Sequence, residues 1–383
     1  MINVAIIGTG NIANFHMQSL LKFRDRCKIV ALVDIAPAKA QACKEKYDLN
    51  DAVVFASHGD MIASGMKIDL VHNCTPPFAH ASVSIDCMNA GIDVFVEKPM
   101  AASLKECDDM IAARDKNGVM LHVVAQNRFR DIHMKLKQLK DSGIAGKIRV
   151  AHVNSLWWRG HSYYDLWWRG MWEKEGGGPT LNHAVHHIDL INWIYGELPK
   201  EVTAVLANVA HDNSEVEDVS FAILRYNDGA MATITSSVVH HGQEQNIELQ
   251  GMDAKITAPF SCHACKGHPS GFPYDNTELM EKITQMHDNM LNLEYEGHEG
   301  QIDNILTYME TGKAPLIAAE DGRKTLELIT AIYKAGCTKQ MATLPISPSD
   351  EFYTFEGLLK NAIYFYEKAN SVEDLGSDGV RTY

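Results

Sequence analysis

No apolar stretch in this chain approaches the ~20 residues that a membrane-spanning helix needs, which argues against a helical membrane protein. Basic residues are in deficit, 35 Lys and Arg against 49 Asp and Glu, for a net charge of −14, so nucleic acid is not an expected partner. Paired cysteines are scarce as well. The 8 cysteines are scattered, and several (Cys43, Cys74, Cys87, Cys107) fall inside predicted strands or helices. Such positions suit buried thiols in a reducing compartment better than a disulfide framework. There is one CxxC, Cys262-His263-Ala264-Cys265 with His268 nearby, and no second pair. A structural zinc site usually takes two pairs, so a plain loop without metal is expected there. No basic and apolar leader and no twin-arginine motif opens the chain, and the expected location is the cytoplasm. Internal repeats and low-complexity segments are absent too, and 383 residues suggest two to three ordinary domains.

What is present begins at once. Met1 to Ile7 is apolar, short enough for a buried parallel strand, and Gly8-Thr9-Gly10-Asn11-Ile12-Ala13 follows it. Glycines there let the backbone turn tightly and approach a pyrophosphate, and a helix from Ile12 to about Phe23 points its free N–H groups at the phosphates. Lys28 to Val33 reads as the next strand, and Asp34 closes it 24 residues after Gly10. That suits the acid, about 20 residues on, that binds the ribose hydroxyls. A carboxylate repels a 2′-phosphate, and no arginine follows at Ile35 or Ala36, so NAD is expected rather than NADP.

Strands at Val53–Phe55, Leu70–Cys74, Asp93–Val96 and Val119–Val124 alternate with helices such as Ala36–Tyr47, Ala79–Ala90 and Leu104–Asn117. Alternation implies a parallel, doubly wound α/β sheet with ligands beyond the strands' carboxyl ends. Thr75-Pro76-Pro77 and Glu97-Lys98-Pro99 both stand at such ends. Past Gln126 the pattern changes. A helix (Ile132–Asp141), a strand (Ile148–Leu156), an aromatic stretch and a helix from Asn182 to Tyr195 precede successive strands at 201–208, 219–226, 230–239 and 246–250. Asn227-Asp228-Gly229 is a hairpin signal. This predicts an α+β domain with a large, mostly antiparallel open sheet. Helices return at Gly300–Thr311 and Ala319–Lys334, and one more is expected over Phe352–Ala369 before a polar tail. The expected division is 1–124, 125–348 and a helical extension at 349–383.

Several ordered stretches together resemble the Gfo/Idh/MocA oxidoreductases. They are Thr75-Pro76-Pro77-Phe78-Ala79-His80, Glu97-Lys98-Pro99, Gly176-Gly177-Gly178 followed by His186 and Asp189, and Pro315 followed by Glu320-Asp321-Gly322. The resemblance spans about residues 1–348. It implies an N-terminal Rossmann domain, a C-terminal open sheet with helices, a tightly held nicotinamide cofactor, sugar or polyol substrates, and homodimers or homotetramers formed through the sheet. It implies cofactor contacts from Gly8, Gly10, Asn11, Ile12, Asp34, Thr75, Pro76, His80, Glu97 and Lys98.

Oxidising a secondary alcohol moves a hydride to the nicotinamide and a proton off the oxygen, and the protein handles the proton. Lys98 faces the crevice, where the positive ring of an oxidised nicotinamide would lower its pKa. It resembles the family lysine that contacts the reacting hydroxyl. His186 matches the family histidine and is the best proton carrier by its ordinary pKa. Asn182, His186 and Asp189, spaced i, i+4 and i+7, would share one helical face. Many family members carry Asp where Asn182 stands; an amide orients substrate or ring without forming an ion pair. His183 and His187 read as packing or subunit-contact residues, and His240-His241 as surface or interface residues.

Residues 157–172 hold most of the tryptophans, with Arg159 and Arg169 among them. Flat aromatic faces suit the C–H faces of sugar rings, and arginines donate to hydroxyls or carboxylates. Trp157, Trp168 and Arg169, with Arg128 at the domain junction and with Asn182 and His186, are the expected substrate contacts. The expected activity is NAD-dependent oxidation of a sugar, inositol or glycoside hydroxyl. An NAD-using glycosidase with transient oxidation and elimination is the alternative, and a non-catalytic sugar sensor is the third.

Overall fold

A computed structural model describes residues 1–373. The first unit runs β1 (Ile2–Ile7), α1 (Asn11–Leu20), β2 (Cys27–Val33), α2 (Pro37–Lys46), β3 (Val53–Phe55), α3 (His58–Ala63), β4 (Leu70–Asn73), α4 (Pro77–Asn89), β5 (Asp93–Val96), α5 (Leu104–Asn117) and β6 (Leu121–Val123). The six strands are parallel, in the order β3-β2-β1-β4-β5-β6. Strand order reverses between β1 and β4, the place where a doubly wound sheet opens its ligand crevice. Apolar runs such as VAII in β1 are buried on both faces, as a covered parallel sheet requires.

The second unit contains α6 (Asp131–Asp141), β7 (Ile148–Leu156), α7 (Trp172–Glu175), α8 (Pro179–Asn182), α9 (Val185–Tyr195), β8 (Glu201–Ala207), β9 (Val219–Arg225), β10 (Met231–Ser237), β11 (Gln245–Gly251), β12 (Lys255–Ala258), β13 (Cys262–His263), β14 (Cys265–Gly267), β15 (Pro273–Asp275), α10 (Thr277–Asp288), α11 (Gly297–Thr311), α12 (Ala319–Thr338), β16 (Ala342–Thr343) and α13 (Phe355–Asn361). Eight strands form one sheet, β13-β12-β11-β7-β10-β9-β8-β16, antiparallel except for the β7–β10 pair. α9 and α12 cover one face. The other face alternates outward, with Val205, Phe221, Ile223 and Met231 exposed. α11 returns to the first unit, where Arg26 binds its Asp303, Thr307 and Glu310.

Three expectations about secondary structure need correction. The CxxC is not a loop: Cys262 and His263 extend the large sheet, and Cys265 opens the β14–β15 hairpin. The thiol of Cys262 turns inward to the Met280 carbonyl, while Cys265 stands exposed beside His263. The helix expected over Phe352–Ala369 stops at Asn361. Beyond it the backbone bonds across the aromatic stretch, with the Phe365 N–H donating to Glu215, the Ala369 and Asn370 N–H groups to the Asn213 side chain, and the Val372 N–H to Asp165. Those partners replace the helical ones. The polar tail from 374 onward lies outside the described residues. The third correction, a break in the helix expected from Asn182, belongs to the site.

Candidate active site

Gly8 adopts φ +85°, and a Cβ there would stand 2.8 Å from the Cys74 carbonyl oxygen, so only glycine lets β1 and β4 end so close together. A Cβ on Gly10 would meet nothing within 4 Å, leaving open space over the start of α1. No side chain caps that helix, so the N–H groups around Asn11 and Ile12 remain for an anion. Asp34 is fixed by three donors: the Thr9 N–H (2.8 Å) and hydroxyl (2.7 Å) on Oδ2, and the Ala36 N–H (2.9 Å) on Oδ1. Glycines, uncapped helix and carboxylate fit the pyrophosphate and ribose of a dinucleotide. Ile35, 96% exposed, stands beside the acid.

Thr75 and Pro76 follow β4. The Asn73 side-chain oxygen accepts from the Thr75 N–H and hydroxyl, and its amide donates to the His80 carbonyl and Ser84. His80 itself spans the carbonyls of Thr75 and Pro99, each at 2.8 Å. Both ring nitrogens are engaged, so His80 brackets the two strand ends instead of offering a free nitrogen to the cofactor. Glu97 likewise turns into the domain: Oε1 meets His16 Nε2 at 2.8 Å, His16 Nδ1 meets His72 Nδ1 at 2.9 Å, and His298 lies 3.8 Å away. Burial opposes the charge on Glu97, yet His16, His298 and Lys98 hold its pKa well below the usual carboxylate range. Its Oε2 accepts the Lys98 N–H. The Lys98–Pro99 bond is cis.

Lys98 and His186 line one crevice with Pro99, Ala125, Asp189 and Thr325. Desolvation lowers the Lys98 pKa; Glu97 opposes this and Arg169 adds to it. Desolvation also pushes His186 well below its ordinary value, with the Lys98 charge next in effect. Both groups are thereby biased towards their neutral, proton-accepting forms.

Asn182 and His186 do not share one helix. α8 ends at Asn182, and α9 starts at Val185. The Asn182 carbonyl, which a continuous helix would give to the His186 N–H, receives Lys98 Nζ at 3.4 Å. The Asn182 amide donates to the Gly177 and Gly178 carbonyls. Asn182 thus positions Lys98 through its main chain. The Gly-rich turn is pressed against Tyr333 and Glu217, which Cβ atoms on Gly177 and Gly178 would strike at 2.1 and 2.0 Å. Buried Glu217 accepts from the N–H groups of Gly178 and Thr180 and from the Tyr333 hydroxyl, and desolvation raises its pKa to about 7. No spacing in the sequence singles Glu217 out.

Arg128, expected to line the cleft, is buried with Asp189 in a two-pronged pair at 2.8 and 2.7 Å. Asp189 also accepts from Thr325. The residue at the domain junction is therefore a structural cation, which its neighbours in sequence gave no means to foresee.

The tryptophans divide by environment. Trp172 is fully buried and donates to the Ile363 carbonyl. Trp158 and Trp167 are exposed. Trp157 and Trp168 are half-buried and each carries a guanidinium over its ring, Arg159 at 5.5 Å and Arg169 at 4.1 Å. Arg169 also pairs with buried Glu175 at 2.6 Å. His183, expected to be a packing or subunit-contact residue, lies between Trp157 and Tyr163 and close enough to Arg159, Arg169 and Lys98 for all three to depress its pKa, after desolvation.

A switch-point crevice shaped for a dinucleotide, opening on a lysine and a histidine biased towards neutrality, defines an NAD-dependent oxidoreductase. Residues 2–125 match the description "Oxidoreductase family, NAD-binding Rossmann fold", and residues 133–257 match "GFO/IDH/MocA C-terminal domain". The chain belongs to the GFO/IDH/MocA family. It is 27% identical over 320 residues to a 2,7-anhydro-N-acetylneuraminate hydratase of Mediterraneibacter gnavus, covering 82% of this chain and 81% of the relative. It is 28% identical over 259 residues to a myo-inositol 2-dehydrogenase of Thermotoga maritima, covering 67% and 74%. Among solved structures, the WlbA dehydrogenase of Bordetella pertussis in complex with NADH and UDP-GlcNAcA superposes with a TM-score of 0.77 at 29% identity, covering 90% of this chain and 98% of that one. Among the described residues no helix is long and apolar enough to cross a membrane.

Proposed function

We propose that the protein exchanges a hydride between nicotinamide and a secondary hydroxyl of a sugar, inositol or glycoside. The convergence of Lys98 and His186 on one crevice at the end of β5 carries this reading. Bound NAD supplies the hydride acceptor or donor. Lys98, steered by the Asn182 carbonyl, takes the hydroxyl proton, and His186 hydrogen-bonds the same oxygen and shares the proton. Arg169, Trp157 and Trp168 border the sugar. Asp34 favours NAD over NADP. Screening inositols, free sugars and glycosides for NADH formation tests the reading; no NADH from any of them would overturn it in favour of the second reading below or of neither.

The similarity to a hydratase supports a second reading, transient oxidation followed by elimination, water addition and re-reduction. In that case substrate is consumed without NADH accumulating.

The open face of the large sheet suits a second copy of the chain. Val205, Phe221 and Ile223, at 63, 56 and 47% exposure, stand side by side across β8 and β9, too apolar a patch for water alone. The proposed compartment is the cytoplasm, in keeping with buried thiols at Cys43, Cys74, Cys87 and Cys107.

A further inference from the structure

We propose that the sugar taken by this cleft carries one carboxylate, gripped by Arg159 with Arg169 as the second donor. This rests on the reading above for placing a sugar beside Lys98.

The argument starts from charge. Arg159 and Arg169 stand over the same Tyr163 ring, 5.4 and 4.2 Å from its centroid. Tyr163 and Trp157 flank His183, and both arginines and Lys98 act on that histidine. The cations are not equally compensated. Arg169 has Glu175. Lys98 has Glu97, the adjacent residue, whose charge acts on it. Arg159 has no carboxylate partner among the described residues; its Nη1 donates to the Trp158 carbonyl at 2.7 Å. Arg159 and Arg169 set against Glu175 alone leave one positive charge in excess. The chain as a whole carries −14, so a local surplus of cation is not a by-product of composition.

One further donor awaits a partner. Arg169 Nε is buried with no hydrogen bond among the described residues. An unmade buried bond is costly unless a ligand completes it. A neutral hydroxyl would accept from this donor but leave the charge uncompensated. One carboxylate does both: it is planar, singly charged, and matches the guanidinium fork. The Trp157 and Tyr163 rings beside Arg159 hold its guanidinium in place by cation–π attraction. Arg159 thus anchors the acid end of the sugar while a ring hydroxyl reaches Lys98 and His186.

The test is equilibrium binding to the NADH-loaded protein, read by calorimetry. The probes are methyl glycosides of gluco-, galacto- and 2-acetamido-hexuronic acids, each with its carboxamide, and the matching hexose 6-phosphates. At least one acid is expected to bind about tenfold or more tighter than its amide. That preference disappears in Arg159→Met and returns in part in Arg159→Lys, both checked by thermal melting. Equal binding of every acid and amide, tighter binding of the 6-phosphates, or a preference that survives in Arg159→Met overturns the proposal; the wild-type comparison decides alone if a variant unfolds. Turnover is a separate readout. Acid-selective binding without NADH formation would count against the dehydrogenase reading and leave the anion site standing. NADH formation from neutral sugars with no acid preference would do the reverse.

Discussion

Lys98 Nζ donates to the main-chain carbonyl of Asn182 at 3.4 Å, across a separation of 84 residues. The contact ties the end of β5 to the break between α8 and α9. It aims the lysine into the crevice beside His186, at the carbonyl left free where the helix is broken.

Lys98→Met and His186→Ala are each expected to lower kcat by about 10²–10⁴-fold. NAD affinity should stay nearly unchanged, because the phosphate and ribose contacts are proposed at Gly8, Gly10 and Asp34. Steady-state kinetics with calorimetric NAD titration checks this. Normal turnover in both variants would remove the pair from the chemistry.

Asp34 is proposed to set cofactor choice by repelling a 2′-phosphate. Wild type is expected to bind NADH more tightly than NADPH, and Asp34→Arg to lose or invert that order. Part of the loss will come from Thr9, which gives both its donors to this carboxylate. Titration showing tighter NADPH binding to wild type would contradict the assignment.

Arg128 and Asp189 form a buried pair, so removing one partner strands a charge. Arg128→Met is expected to cost about 3–5 kcal/mol of stability. The Michaelis constant of protein that still folds should hardly change. A raised Michaelis constant at unchanged urea midpoint would mean that Arg128 meets substrate after all.

Stability should respond to pH in two opposed ways. Desolvation depresses His122 and His133 from 6.5 to about 4. The unfolded chain then binds more protons, and stability is lost as pH falls from 6.5 through 4, on the order of 3 kcal/mol for each group. Glu217 acts the other way: its pKa, raised from 4.5 to about 7, favours the folded state at low pH, and that advantage fades as pH rises from 4.5 through 7. Glu217→Gln should therefore show a steeper gain in urea midpoint from pH 5 to pH 8 than wild type. Parallel gains would show that Glu217 is not the titrating group.

Phe221→Glu places a charge in the middle of the exposed sheet face and is expected to shift the protein to a smaller assembly in analytical ultracentrifugation, with little change in thermal stability. An unchanged sedimentation coefficient would mean that this face is not where copies meet.

Much of the architecture is local and therefore legible in the sequence. Gly8 and Gly10 between two apolar runs, with Asp34 after the second, impose a strand–turn–helix–strand unit through backbone sterics and burial alone. Asp93–Val96, Leu104–Asn117 and Ile148–Leu156 appear in the structure with the bounds their periodicity gives. The six-stranded parallel sheet follows from the same alternation. Lys98 and His186 are readable because each sits in a short motif. What the sequence could not determine is where a side chain finds its partner from far along the chain. Arg128 reads as a cleft cation until Asp189 neutralises it, 61 residues on. The Asn182–Tyr195 stretch reads as one helix, but the fold breaks it after Asn182 and turns that carbonyl to Lys98. Phe352–Ala369 reads as helix until Asn213 and Glu215 supply competing hydrogen-bond partners. Arg159 is one basic residue among 35 until the fold leaves it without an acid among the described residues. Periodicity and turn chemistry act over a few residues; hydrogen bonds and charge compensation act between whatever the fold brings together, and only the tertiary structure decides that.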